Sequence, residues 1–143
     1  MYGNGKQNVY RANEVSTVSK AKLILLMYDG AIRFINEAIR RVDTNDVAGR
    51  GMYISKAQKI VDELNGALNH KAGGEVAVNL DKVYVEVSRN LIDANIKGSK
   101  EPLDSALSSM KGLRSAWGQV IKMTGKNGAR PSNNQGLGAS ISL

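Results

Sequence analysis

Four long stretches of the chain place apolar residues three and four apart, and each is closed by glycine, proline or a short polar connection. That is the period of the α-helix, so each stretch carries an apolar face that needs a partner. Segments joined this tightly bury those faces by folding back on one another. The fold class they specify is all-α, an antiparallel four-helix bundle with a mobile N-terminal segment and a disordered C-terminal tail.

The first helix is predicted over residues 20–42, with Ser19 as its N-cap. Leu23, Met27, Gly30, Phe34 and Ala38 form one stripe on it, and Ile24, Tyr28, Ala31, Ile35 and Ile39 form a second beside it. The second helix, over 47–69, aligns Tyr53, Ala57, Ile60, Val61, Leu64, Ala67 and Leu68, while Gly49 and Gly51 weaken its first turn. Gly73 and Gly74 read as a helix stop and tight connection, and a third helix follows over 75–97. Its face carries Val76, Leu80, Val83, Tyr84, Val87, Leu91 and Ala94. Gly98 is its breaker, and Ser99 to Pro102 is a start signal, because proline fits the first turn of a helix. The fourth helix carries Leu103, Ala106, Leu107, Met110, Leu113, Trp117, Val120 and Ile121, and fades near Thr124 and Gly125.

The domain organisation that follows is an N-terminal segment over 1–18, a helical bundle over 19–125 and a flexible tail over 126–143. The tail carries Leu137, Ile141 and Leu143, which either stay solvated or compete for an apolar groove.

Within the first helix, Leu23, Ile24, Leu25, Leu26, Met27 and Tyr28 are consecutive, and such a run reaches every side of the helix. One bundle-facing stripe does not use it all up, so a second apolar face points to a partner outside the bundle. The reading assigns Leu23, Leu26 and Met27 to the bundle core. Ile24 and Tyr28 become the floor of a groove continuing to Ala31 and Ile35, with Leu25 between the two. Asp29 follows the run directly, either as an anchor for a partner backbone or as an ordinary exposed residue.

No enzyme site emerges. Cysteine is absent and His70 is the one histidine, which leaves no thiolate or histidine cluster for a metal or a cofactor. His70 beside Lys71 reads as a dipole partner at a helix C-terminus. The two Gly-Lys pairs, Gly5-Lys6 and Gly125-Lys126, lack the upstream glycine and the hydroxyl of a phosphate-binding loop. Trp117 falls in the core spacing, and Gly112 and Gly118 beside it suggest close helix packing. The net charge of +7 raises the alternative of a basic helical nucleic-acid-binding or regulatory module. Its spread along the whole chain favours a solvated surface over a phosphate track. With no signal-peptide pattern and no apolar run near the ~20 residues that span a bilayer, the expectation is a cytoplasmic protein without membrane insertion.

Several blocks in order resemble the flagellar secretion chaperone family FliS. They are Tyr10-Arg-Ala-Asn13, the stretch from Lys22 through Tyr28-Asp-Gly-Ala31 to Ile32, Gly73-Gly-Glu75 before Asn79-Leu80, Leu91-Ile-Asp-Ala-Asn95, and Leu113-Arg-Ser-Ala-Trp117. The resemblance spans about residues 8–122. Two departures stand out: Ser19-Lys-Ala21 replaces the family's Ser-Pro-Glu, and the tail beyond Gly125 is long for the family.

The resemblance implies a cytoplasmic chaperone that binds the disordered C-terminal segment of flagellin in an apolar groove. It thereby blocks premature polymerisation and delivers flagellin to the type III export apparatus, with the flagellar export gate as a further partner. No cofactor and no nucleic acid are expected, and the free protein is expected to be a monomer or weak dimer. By the same resemblance Tyr10 and Asn13 fold over the groove when cargo is absent, and Leu91 and Asn95 join the contact set. Ile24, Tyr28, Asp29, Ala31 and Ile35 complete the candidate partner-binding residues.

Overall fold

The computed structural model describes the backbone of residues 5–126 and the side chains of residues 20–123. These residues form four helices: α1 (Gly5–Asp43), α2 (Val47–Gly66), α3 (His70–Lys97) and α4 (Glu101–Lys126). Each packs on its neighbours in the order of the chain, and α4 closes the square against α1. Consecutive helices run antiparallel, as short connections require. α1 and α3 therefore run parallel across one diagonal.

The connections show why the helices end where they do. Asn45 takes a left-handed φ of 58°, and Asp46 then caps α2 by accepting the Gly49 amide at 2.9 Å. The carboxylate folds so closely over this turn that a side chain at Gly49 would run into it. Asn69 caps α3 by accepting the Ala72 amide at 3.0 Å. At the far end Gly98 closes α3 with a φ of 64°, its amide donating to Ala94 O at 2.8 Å. Arg50 of α2 donates from Nη2 to Asn95 O at 2.9 Å, a cation on the last turn of α3. Glu101 and Asp104 supply negative charge to the first turn of α4.

The expected boundaries need three corrections. α1 does not start at Ser19 but runs through it from Gly5, since no glycine or proline between those positions interrupts it. α2 ends at Gly66 and not at residue 69, because Asn69 is used to cap the next helix. The stop at Gly73 and Gly74 holds, since Gly74 leaves the helical range and α3 is two helical pieces joined there, but a short first piece precedes it. α3 has already begun at His70, and Gly74 (φ 51°, ψ −126°) kinks it. His70 accordingly opens α3 and does not close α2.

The core lies along the bundle axis. α1 contributes Ile24, Tyr28, Ala31, Ile35 and Ala38; α3 contributes Leu80, Tyr84, Val87, Leu91 and Ala94. Ile54, Ala57, Val61 and Leu64 of α2 and Leu103, Ala106, Met110 and Trp117 of α4 fill the other two corners. Burying one such large side chain stabilises by about 1.5–3 kcal/mol. Trp117 is core, as its spacing predicts, and its Nε1 donates to Ala21 O at 2.9 Å, which fixes α4 against α1.

Candidate partner-binding surfaces

The structure reverses the division of the apolar run in α1. Leu23 and Leu26, expected in the core, are 55% and 64% exposed, and Met27 is only partly buried. Ile24, Tyr28, Ala31 and Ile35, expected as the floor of a groove, are at most 4% exposed and packed inside the bundle. Leu25 is partly buried against the core. For Leu23 the cause is the length of α2. Gly30 faces Ile60, to which a Cβ added at that position would come within 3.2 Å, and the two helices are antiparallel. Leu23, seven residues before Gly30, therefore lies level with residue 67, just past the end of α2. Leu26 points outward.

Tyr28 is held by Tyr84 of α3, their hydroxyl oxygens 2.6 Å apart across the bundle diagonal. Either oxygen can donate, so one hydrogen bond satisfies two buried phenols. Burial pushes both groups above the ordinary phenol range; for Tyr28 the bond to Tyr84 works in the opposite direction, and for Tyr84 the neighbouring Tyr28 adds to the rise. The pair is neutral at physiological pH and acts as a polar clip in an apolar core. Asp29 accepts from Arg114 Nε of α4 at 2.8 Å, with both side chains about two-fifths exposed. It is thus an interhelical pair within this chain.

Of the remaining candidates, Leu91 is fully buried in α3 and Asn95 is exposed near the end of that helix. The side chains of Tyr10 and Asn13 lie outside the described residues, as does the tail with Leu137, Ile141 and Leu143. The candidate set therefore does not converge on one surface. Five of its members build the core, Asp29 pairs with α4, and Asn95 alone among those described faces outward.

An exposed apolar row lies on α3. Val78, Val85, Ile92 and Ile96 are 46%, 45%, 56% and 77% exposed. Val78, Val85 and Ile92 recur every seven residues and so form a row along the helix. That row borders α2, because Ser88, three residues after Val85 and four before Ile92, accepts from Gln58 Nε2 at 2.7 Å. Gln58 in turn donates to Asp62 at 3.0 Å. An apolar row on α3 thus runs beside a polar flank of α2, over about 27 Å from Val78 to Ile96 at the helical rise of ~1.5 Å per residue. Sequence reasoning missed it although the signal was there: α3 repeats apolar residues on two rows, and only the inner one was read.

Residues 2–124 match the family model described as Flagellar protein FliS. The chain belongs to the FliS family. It is 30% identical over 118 residues to the flagellar secretion chaperone FliS of Bacillus subtilis, covering 82% of this chain and 87% of that one. The same name is borne by a Campylobacter jejuni protein 30% identical over 120 residues, covering 84% and 94% of the two chains. A Salmonella typhimurium relative is 30% identical over 107 residues, covering 74% and 79%. This FliS-family chain is accordingly a flagellar-biogenesis chaperone by family, built as a helical bundle. Among its described residues no helix is long and apolar enough to cross a membrane.

Proposed function

We propose that this chain is a cytoplasmic, flagellin-specific export chaperone. It holds the C-terminal segment of flagellin, prevents premature polymerisation and delivers it to the flagellar type III export apparatus. The observation that carries this reading is the exposed row Val78, Val85, Ile92 and Ile96 on a chain of the chaperone family. Such a row offers anchor positions at helical spacing to a segment that folds on binding. The polar flank of α2 and the Asn95 amide at the end of the row can satisfy the backbone and polar side chains of the bound segment. A segment disordered when free loses part of the gain to ordering, so binding is specific yet reversible enough for hand-over.

Ile24, Tyr28, Ala31, Ile35 and Leu91 support this surface from beneath, by fixing α1 and α3 in the core. In this reading the segment with Tyr10 and Asn13 bends away from the continuous helix to cover the surface when cargo is absent, as the resemblance implies.

The test is binding of the C-terminal peptide of the cognate flagellin to the full chain, together with flagellin polymerisation followed by light scattering. A one-to-one complex and suppressed polymerisation are expected. Absence of a complex, or polymerisation at the unassisted rate, would overturn the proposal.

A further inference from the structure

A second surface lies on the outer side of the α1–α2 pair. There the rings of Phe34 and Tyr53 meet with centroids 6.1 Å apart. The Arg33 guanidinium stands 5.1 Å from the Phe34 centroid. The Lys56 ammonium stands 5.5 Å from Phe34 and 5.6 Å from Tyr53. Arg41 lies 5.4 Å from Tyr53 and is also paired with Asp46 and Glu37. Arg33 and Lys56 differ from Arg41 in one respect. Among the described residues neither has a carboxylate within ion-pair distance.

The rings hold these two cations in place without neutralising them, since an aromatic face attracts a cation through its quadrupole and carries no net charge. On the same helix Leu26, seven residues before Arg33, lies about 10 Å away along the axis, and Leu23 stands one turn further. One helix pair thus presents two exposed apolar anchors followed by two uncompensated positive charges.

We infer that this α1–α2 face docks an acidic protein segment, separately from the α3 row. Apolar side chains of the segment rest on Leu23 and Leu26, and its carboxylates meet Arg33 and Lys56. The segments beyond the described side chains are poor in carboxylates. Residues 1–19 carry Lys6, Arg11 and Glu14, and residues 127–143 carry Arg130 and no Asp or Glu, so neither segment offers a cluster of carboxylates. A second copy brings a further +7 and is repelled. A nucleic acid also carries negative charge, but Phe34 and Tyr53 are each already engaged by two of the chain's own cations. Stacked bases would need those faces free, and the leucines match an apolar side chain better than a phosphate.

The test is an NMR titration of the isotope-labelled full chain with three probes. The first is a helical peptide of about 20 residues with leucines on one face flanked by glutamates. The second is the same peptide with lysine in place of glutamate, and the third is an oligothymidylate about 15 nucleotides long. The acidic peptide is expected to shift amides in residues 23–34 and 53–60, and the lysine peptide to leave them unmoved. Arg33→Gln/Lys56→Gln should weaken the acidic peptide about tenfold or more, while Lys111→Gln/Lys122→Gln, which removes equal charge from α4, should leave it within about twofold. If the first double variant loses helical signal, Arg33→Gln alone, at an exposed position, carries the same comparison. Shifts centred on α3, equal losses in the two double variants, or tighter salt-sensitive binding of the oligothymidylate at this face would each overturn the inference.

Discussion

Tyr28 and Tyr84 meet where α1 and α3 cross the bundle diagonal, and their shared hydrogen bond sets the consequences of changing either one. Tyr28→Phe leaves the Tyr84 hydroxyl buried without its partner, and the expected loss is about 1–3 kcal/mol. Tyr28→Phe/Tyr84→Phe removes both hydroxyls and is expected to cost less than the two single changes together, which a double-mutant cycle by urea denaturation measures. The pH dependence follows from the raised phenol values. The folded state keeps protons that the unfolded state sheds near pH ~10, so the stability from this pair is complete below that pH and declines above it. Denaturation midpoints should therefore fall on the alkaline side in the native chain, and fall less steeply in the double phenylalanine variant. Neither effect is legible in the sequence. Tyr28 and Tyr84 are each on an apolar stripe, but nothing in one dimension says that the two stripes face each other.

At the scale of the helices, two glycines separate what local chemistry decides from what packing decides. A methyl at Gly112 would meet nothing within 4 Å, so this exposed glycine weakens α4 without any gain in close packing, contrary to the sequence-based expectation. Gly112→Ala is expected to raise stability by about 0.5–1 kcal/mol, read as a higher urea midpoint at unchanged slope. Gly98 behaves in the opposite way. Its φ of 64° favours glycine over alanine, and an added Cβ would sit 2.8 Å from Arg50 Nη1, so Gly98→Ala should lose about 1 kcal/mol or more in the same assay. The stop at Gly98 and the start near Pro102 were legible because each depends on one residue's backbone chemistry. The entry to α1 was not, since Ser19 is an N-cap only where the chain before it leaves the helix.

For the whole molecule, four periodic stretches and tight connections were enough to specify an antiparallel bundle, since no other arrangement buries four such faces. Assigning the faces was harder. Residues 23–28 are apolar on all sides of α1, and the choice between rows depends on how the other three helices sit around it, a fact three-dimensional in origin. A usable signal did exist in the inner row: Ala31 and Ala38 alternate with Ile24, Tyr28 and Ile35, the large-and-small pattern that lets four helices interlock. The row through Leu26 runs instead into Arg33, Glu37 and Arg40, so charge interrupts it. On α3 the same contrast separates the inner row, ending in Leu91 and Ala94, from the outer row of Val78, Val85, Ile92 and Ile96. The resemblance to a chaperone family was legible from the motif blocks, which mix core residues such as Tyr28, Leu91 and Trp117 with exposed ones such as Ile92 and Asn95, so the blocks mark the family without separating core from surface.

In the proposed function flagellin is held by the outer row of α3 and not by the apolar run of α1. The affinity of the cognate flagellin C-terminal peptide, measured by calorimetry on Val85→Asp and on Leu26→Asp, separates the two directly, because both positions are exposed and both variants should keep the native helical signal. Val85→Asp is predicted to weaken binding about 100-fold, since it places an unpaired carboxylate under an apolar partner at roughly 3 kcal/mol, and Leu26→Asp to change it less than about threefold. Undiminished affinity in Val85→Asp, or a loss confined to Leu26→Asp, would rule out the α3 row as the flagellin site.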